Sequence, residues 1–155
     1  MAGGATLKQL ARYAPVIYGF DSFEGLPEAW LDENGNQQEP KGKFKCHIPA
    51  ELPANAYLVI GLFEDTLPAF LKHRPGPFGL VHIDCDLYSS AKFVLDQLGP
   101  YLDDAVIAFD EIRGFPAGEH HEGRAWAEFM SRDKYNARLL GHQHNAGAIY
   151  KLSLR

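Results

Sequence analysis

An α/β fold built on a doubly wound, mostly parallel sheet is predicted by three observations. Short apolar runs at 16–20, 57–60, 79–83 and 105–109 show little polar alternation, as strands buried on both faces do. Helix-compatible stretches separate them, and such alternation of strand and helix is the pattern of βα units. The end of the chain breaks the pattern: two runs, 137–140 and 148–154, flank the Gly- and Asn-containing segment 141–147, as an antiparallel hairpin at a sheet edge would.

Taken in order, a first helix is predicted over 5–13, directly after Gly3 and Gly4, followed by the strand 16–20. The segment 28–53 carries Asn34-Gly35-Asn36, Pro40, Gly42, Pro49 and Pro53 and is the one long irregular region. A connection of that length is usually functional or disordered, and a lid or substrate loop is expected. Next come a strand at 57–60, a helix over 66–72 and a strand at 79–83. The helix over 90–98 gathers Phe93, Val94, Leu95 and Leu98 on one face, and Ser89 or Ser90 is its simplest N-cap. The strand 105–109 and a helix over 122–131 precede the hairpin. His82 lies inside an apolar strand and is expected to be a hydrogen-bonded core residue, with Trp126 in the core and Trp30 in the lid.

With 155 residues, 46% of them hydrophobic, the chain has material for one substantial core, so a single domain over 1–155 is expected. A net charge of -5 without any Lys/Arg-dense run argues against nucleic acid or an anionic membrane as partner. A small neutral or cationic ligand suits it better. No apolar stretch is long enough for a bilayer, and the opening residues lack a secretory core, so a cytoplasmic protein is expected. Cys46 and Cys85 support neither a disulfide framework nor a zinc site and are read as free thiols.

The chemistry concentrates after two of the strands. Val81-His82-Ile83 runs into Asp84-Cys85-Asp86, and Val106-Ile107-Ala108-Phe109 runs into Asp110-Glu111. If the two runs are neighbouring parallel strands, their carboxyl ends set four carboxylates around one crevice, the place where open α/β sheets bind ligands. Four such groups repel one another, and a hard, oxygen-liganded cation such as Mg²⁺ would relieve the conflict. The plainer alternative is that Asp84 and Asp110 cap the following helices while Asp86 and Glu111 face solvent. Asp21 closes the first strand, and an acidic residue there, some 20 residues beyond a Gly-rich turn, is suited to the hydroxyls of a ribose. An isolated Asp after a strand is also an ordinary turn former.

The phrase Tyr18-Gly19-Phe20-Asp21-Ser22-Phe23-Glu24-Gly25-Leu26-Pro27 is more particular than a generic turn. With Gly61-Leu62-Phe63-Glu64-Asp65-Thr66-Leu67-Pro68, His82-Ile83-Asp84-Cys85-Asp86-Leu87-Tyr88-Ser89-Ser90, Phe109-Asp110-Glu111 and Glu122-Gly123-Arg124-Ala125-Trp126, it resembles the macrocin O-methyltransferase family, in matching order across nearly the whole chain. The resemblance implies a Rossmann-like class I methyltransferase fold that uses S-adenosylmethionine and methylates hydroxyls of sugars in natural-product biosynthesis. It implies cofactor contacts from Gly3, Gly4, Asp21, Ser22, Glu64, Asp65 and Asp84. It further implies a divalent metal held by Asp86, Asp110 and Glu111, with Asp84 close by. The sequence has Asp-Glu where some relatives have Asp-Asp, which leaves the ligand set open.

On this reading a metal chelating a vicinal diol would activate one hydroxyl, and Asp86 would take its proton. His120 and His121, in a glycine-flanked loop, are further candidates to reach a substrate hydroxyl. The acceptor would be a small hydroxylated molecule, shaped by 28–53 and 113–121. His142 and His144 are read as turn residues and not as a metal pair. The chain opens at what resembles the tail of the Gly-rich first turn, so the sheet is expected to lack its first strand, and a homo-oligomer paired through the open edge is one expectation. Two other readings stand beside this one: a non-catalytic, truncated fragment of the fold, and a glycosyltransferase using Asp84-Cys85-Asp86.

Overall fold

The computed structural model describes residues 4–112, 119–142 and 146–155. Gly3, the loop 113–118 and His144 lie outside them. The chain divides into two compact units, Met1–Trp30 with Gln37–Thr66, and Leu31–Asn36 with Leu67–Arg155.

In the first unit, helix α1 (Ala5–Leu10) is followed by strand β1 (Ile17–Asp21), which pairs in parallel with β4 (Ala56–Ile60), from Ile17 opposite Ala56 to Asp21 opposite Ile60. The core here is small: Leu7, Ala11 and Ala56 are buried, with Ile17, Leu52 and Leu58 packed on them. Burying the Leu7 side chain contributes about 2 kcal/mol. The helix stops earlier than predicted. Asn55 Nδ2 donates to the carbonyls of Ala11 (2.8 Å) and Ala14 (2.7 Å), and Pro15 disfavours helical geometry at Ala14, so the chain turns out of the helix after Leu10.

Strands β2 (Trp30–Leu31) and β3 (Gln37–Glu39) form a short ribbon inside the segment expected to be irregular. At its tip Asp32 Oδ1 accepts from the amides of Asn34 (2.9 Å) and Asn36 (2.8 Å), an Asx-type turn. The limb after the ribbon is fastened to the Phe23–Leu26 stretch. Leu26 donates to the Lys43 carbonyl and Gly42 to the Leu26 carbonyl, both at 2.9 Å, and an exposed Lys45–Glu24 ion pair stands alongside. Gly25 is required there: its φ is +80°, and a Cβ would lie 2.3 Å from the Lys43 carbonyl oxygen.

The second unit holds a four-stranded sheet of order β5-β6-β8-β7, from β5 (Leu80–Ile83), β6 (Val106–Phe109), β7 (Tyr135–His142) and β8 (Ala148–Leu154). β5 and β6 are parallel; β8 pairs antiparallel with β6 and with β7. The predicted hairpin is therefore present and joins the sheet through β8. β7 begins at Tyr135, earlier than its apolar run, and is exposed along most of its length as an edge strand, which hid its start from periodicity.

Helix α2 (Phe63–His73) crosses the boundary between the units; α3 (Tyr88–Leu98) and α4 (Arg124–Met130) belong to the second, and a π-helical turn, Glu119–Gly123, leads into α4. The core of this unit includes Ile83, Leu87, Leu95, Ile107, Phe109, Phe129 and Leu152, all buried. Trp126 packs among Phe109 (5.2 Å between centroids, edge-on), Phe129 (5.8 Å, stacked) and Tyr150 (5.1 Å, tilted), as its core assignment predicted. His82 corrects an expectation. Ile83 shares the Phe109 face, which packs on Trp126, whereas His82 alternates to the opposite face and is exposed. No described helix is long and apolar enough to cross a membrane. Both cysteines are free thiols.

Candidate functional site

Parallel pairing gathers the acidic residues at strand ends in both units. In the first, Asp21 ends β1 opposite Ile60, the last residue of β4, and Gly61 donates to the Asp21 carbonyl at 3.1 Å. Glu64 and Asp65 follow in the first turn of α2, both exposed. Asp21 Oδ1 accepts from the Phe23 amide at 2.8 Å, which orients its carboxylate at the strand end, and Ser22 Oγ accepts from the Glu24 amide at 3.2 Å. Gly4 precedes α1 with φ +79°, and a Cβ there would meet Pro49 Cγ at 3.1 Å.

In the second unit β5 and β6 are the neighbouring parallel strands that the sequence required, and the Asp110 amide extends the ladder by donating to the Ile83 carbonyl at 3.0 Å. Asp84, Asp86, Asp110 and Glu111 thus share one sheet end and feel one another electrostatically. Partial burial, then repulsion from Asp84, Glu111 and Asp110, lifts the Asp86 carboxyl from 3.8 to about 6. Asp110 and Glu111 are raised by the same causes, burial first and neighbouring carboxylates second. One oxygen of Glu111, Oε2, is buried with no hydrogen-bond partner.

The donor set has the chemistry of a hard-cation site: oxygen ligands, mutual repulsion and an unsatisfied carboxylate oxygen. As the side chains stand, no three His, Cys, Asp or Glu groups among the described residues come together closely enough to share an ion.

Asp86 has unusual backbone geometry. Its φ is +61°, and the Leu87 amide donates to the Cys85 carbonyl at 2.6 Å, closing a three-residue turn with Asp86 at its centre. The positive-φ form of that turn is rare and strained, costing about 1–3 kcal/mol.

What holds it is a residue that sequence reading passed over. Glu122 is 1% exposed, and its Oε1 accepts from the amides of Cys85 (2.9 Å) and Asp86 (3.2 Å). Burial, reinforced by Asp86 and Asp84 and partly offset by the Cys85 amide, raises its carboxyl from 4.5 to about 8. Burial also pushes up the Cys85 thiol, with Glu122 and Asp86 adding to it, so this cysteine is a poor nucleophile. A signal for Glu122 was present: with Ala125, Trp126 and Phe129 it keeps helical spacing on the buried stripe.

The same π-helical turn places the two candidate histidines. His121 Nδ1 accepts from the Tyr88 amide at 3.0 Å, so Nε2 carries the proton and faces the Leu31 carbonyl at 2.7 Å. Both ring nitrogens are thus engaged with backbone, a connecting geometry more than that of an acid or base. His120 Nε2 lies 3.4 Å from a Glu33 carboxylate oxygen. The N-cap expected from Ser89 or Ser90 is not found: α3 starts after Leu87 with no side-chain cap, Ser90 is buried, and His121 takes the Tyr88 amide instead. His142 ends β7 and is exposed.

A family model described as a methyltransferase domain matches residues 3–112. Among solved structures, the chain is similar to the calicheamicin methyltransferase CalS11, with TM-score 0.74 and 24% identity, over 97% of this chain and 68% of that one. The apo structure of CalS11, described as a TDP-rhamnose 3'-O-methyltransferase of calicheamicin biosynthesis, matches with TM-score 0.64 and 25% identity, over 96% and 68%. No curated protein matches.

Proposed function

Because the chain belongs to the methyltransferase-domain family, and is an enzyme by that membership, we propose that it moves a methyl group from S-adenosylmethionine to a hydroxyl of a sugar-like acceptor bearing a vicinal diol, with Mg²⁺. The fold implies the methyl donor. The macrocin-type subfamily, the acceptor class and the metal are the finer parts of the proposal. The acceptor class is supported by the sugar methyltransferase description of the neighbour at 25% identity. Family membership sets aside the glycosyltransferase reading of Asp84-Cys85-Asp86.

The observation that carries the reading is the parallel β5–β6 end, where four carboxylates share one edge and Asp86 is lifted to about 6. Methyl transfer from a sulfonium is an in-line displacement at carbon, so the protein must align the hydroxyl oxygen and strip its proton. In the metal-free protein Asp86 is a stronger base than an ordinary carboxylate yet still ionised at neutral pH, and its place among the acidic residues suits it to accept that proton. Asp86, Asp110 and Glu111, with Asp84 close by, are the residues that would hold Mg²⁺, whose charge would lower the hydroxyl pKa. Asp21 would accept from ribose hydroxyls of the donor, with Gly4, Ser22, Glu64 and Asp65 as further cofactor-side residues.

Titration calorimetry with S-adenosylmethionine tests the cofactor half. Asn at position 21 keeps an acceptor for the Phe23 amide but loses the charge, so Asp21→Asn is expected to bind roughly 10- to 100-fold more weakly. Equal affinities for the two proteins would remove Asp21 from the site.

A further inference from the structure

The feature left without a task is the buried carboxylate of Glu122. A buried carboxyl on a helix stripe is costly, and an apolar residue would complete the Ala125, Trp126 and Phe129 face more cheaply. Its Oε1 is directed outward from its own turn, to two consecutive amides 37 and 36 residues away in sequence. Those amides flank the peptide that carries Asp86 into its positive-φ turn. A strained conformation persists only where its surroundings over-determine it.

We propose that Glu122 is the positioning residue of the acidic site: by binding the amides of Cys85 and Asp86 it fixes the turn that aims the Asp86 carboxylate. The inference rests on the reading of Asp86 as ligand and base. Two neighbours act in the same direction. The Leu87 amide closes the turn on the Cys85 carbonyl, and His121, beside Glu122, holds the Tyr88 amide at 3.0 Å. Four successive amides, from Cys85 to Tyr88, are therefore all spoken for, two of them by one carboxylate. The turn between β5 and α3 is held by side chains of the segment before α4, which couples the aim of Asp86 to the seating of that helix.

The test compares full-length wild type, Glu122→Gln, Glu122→Asp and Glu122→Ala. Amide hydrogen exchange at Cys85 and Asp86 is read by NMR, and kcat and KM by transfer of labelled methyl in Mg²⁺. Gln keeps the Oε1 acceptor and its reach, so both amides should stay protected and kcat should stay near wild type. Ala removes the acceptor and Asp withdraws it by a methylene. Both should speed exchange at these two amides at least ~10-fold and lower kcat by up to roughly 10²-fold, with KM for S-adenosylmethionine unchanged. Should the Ala variant not fold, the Asp variant decides. Protected amides in either folded variant, wild-type kcat in them, or failure of Gln to restore both quantities would overturn the proposal. If wild type transfers no methyl group, the reading of Asp86 fails, and the exchange rates alone decide whether Glu122 holds the turn.

Discussion

Asp86→Asn is expected to lower kcat for methyl transfer by roughly 10²- to 10⁴-fold, the usual contribution of a positioned general base, while affinity for S-adenosylmethionine is unchanged. The fold should survive. Asn is among the few residues that tolerate positive φ, so the turn at φ +61° is kept, and the substitution deletes a charge that its neighbours already oppose. Thermal unfolding in EDTA should therefore show a midpoint no lower than wild type. Initial rates, calorimetry and melting curves on the one variant separate a lost base from a lost structure. A kcat within threefold of wild type would take Asp86 out of the chemistry.

The second large effect is on stability. In the folded, metal-free protein the Glu122 carboxyl holds its proton up to about pH 8, whereas in the unfolded chain it releases it near 4.5. Between those values the folded state binds the extra proton, so its stability is greatest on the acid side and falls as pH rises through the folded value. Above about pH 8 both states are ionised and the loss is complete. Glu122→Gln removes this titration. Measured in EDTA, the variant should match wild type near pH 5 and exceed it at pH 9 by on the order of 3 kcal/mol, roughly 10 °C in Tm. Asp86, lifted from 3.8 to about 6, adds a smaller loss of the same sign over pH 4–6. A constant difference between the two proteins from pH 5 to 9 would mean that Glu122 is ionised throughout.

The sheet was legible because buried parallel strands are short, apolar and β-rich, and 79–83 and 105–109 pair as their acidic ends required. The described strands form β1 with β4, the order β5-β6-β8-β7 and the β2–β3 ribbon, and these groupings were less legible than the strands themselves. Periodicity reports burial, not which strand lies beside which. His82 was misplaced for a related reason: an apolar run says nothing about which of its alternate residues faces uncovered space. The acidic residues of the site were visible as strand-end pairs. Glu122 was visible only as a member of the buried stripe and His121 only as a loop candidate; their hold on the β5–α3 turn was not visible, because backbone partners leave no trace in side-chain patterning, and because a π-helical turn re-aims residues that a regular helix would point elsewhere. Ser89 and Ser90 showed the converse, a capping signature overridden by a tertiary partner.

Transfer of labelled methyl from S-adenosylmethionine to a sugar with a free vicinal diol, followed with Mg²⁺, with EDTA, and with Mg²⁺ restored, tests the proposed activity most directly. Transfer that is lost in EDTA and regained on adding Mg²⁺, and that a monohydroxy analogue does not support, is the expected result. Transfer at an undiminished rate in EDTA, or equal rates on the diol and its monohydroxy analogue, would contradict the assignment of Asp84, Asp86, Asp110 and Glu111 to a cation that presents the acceptor.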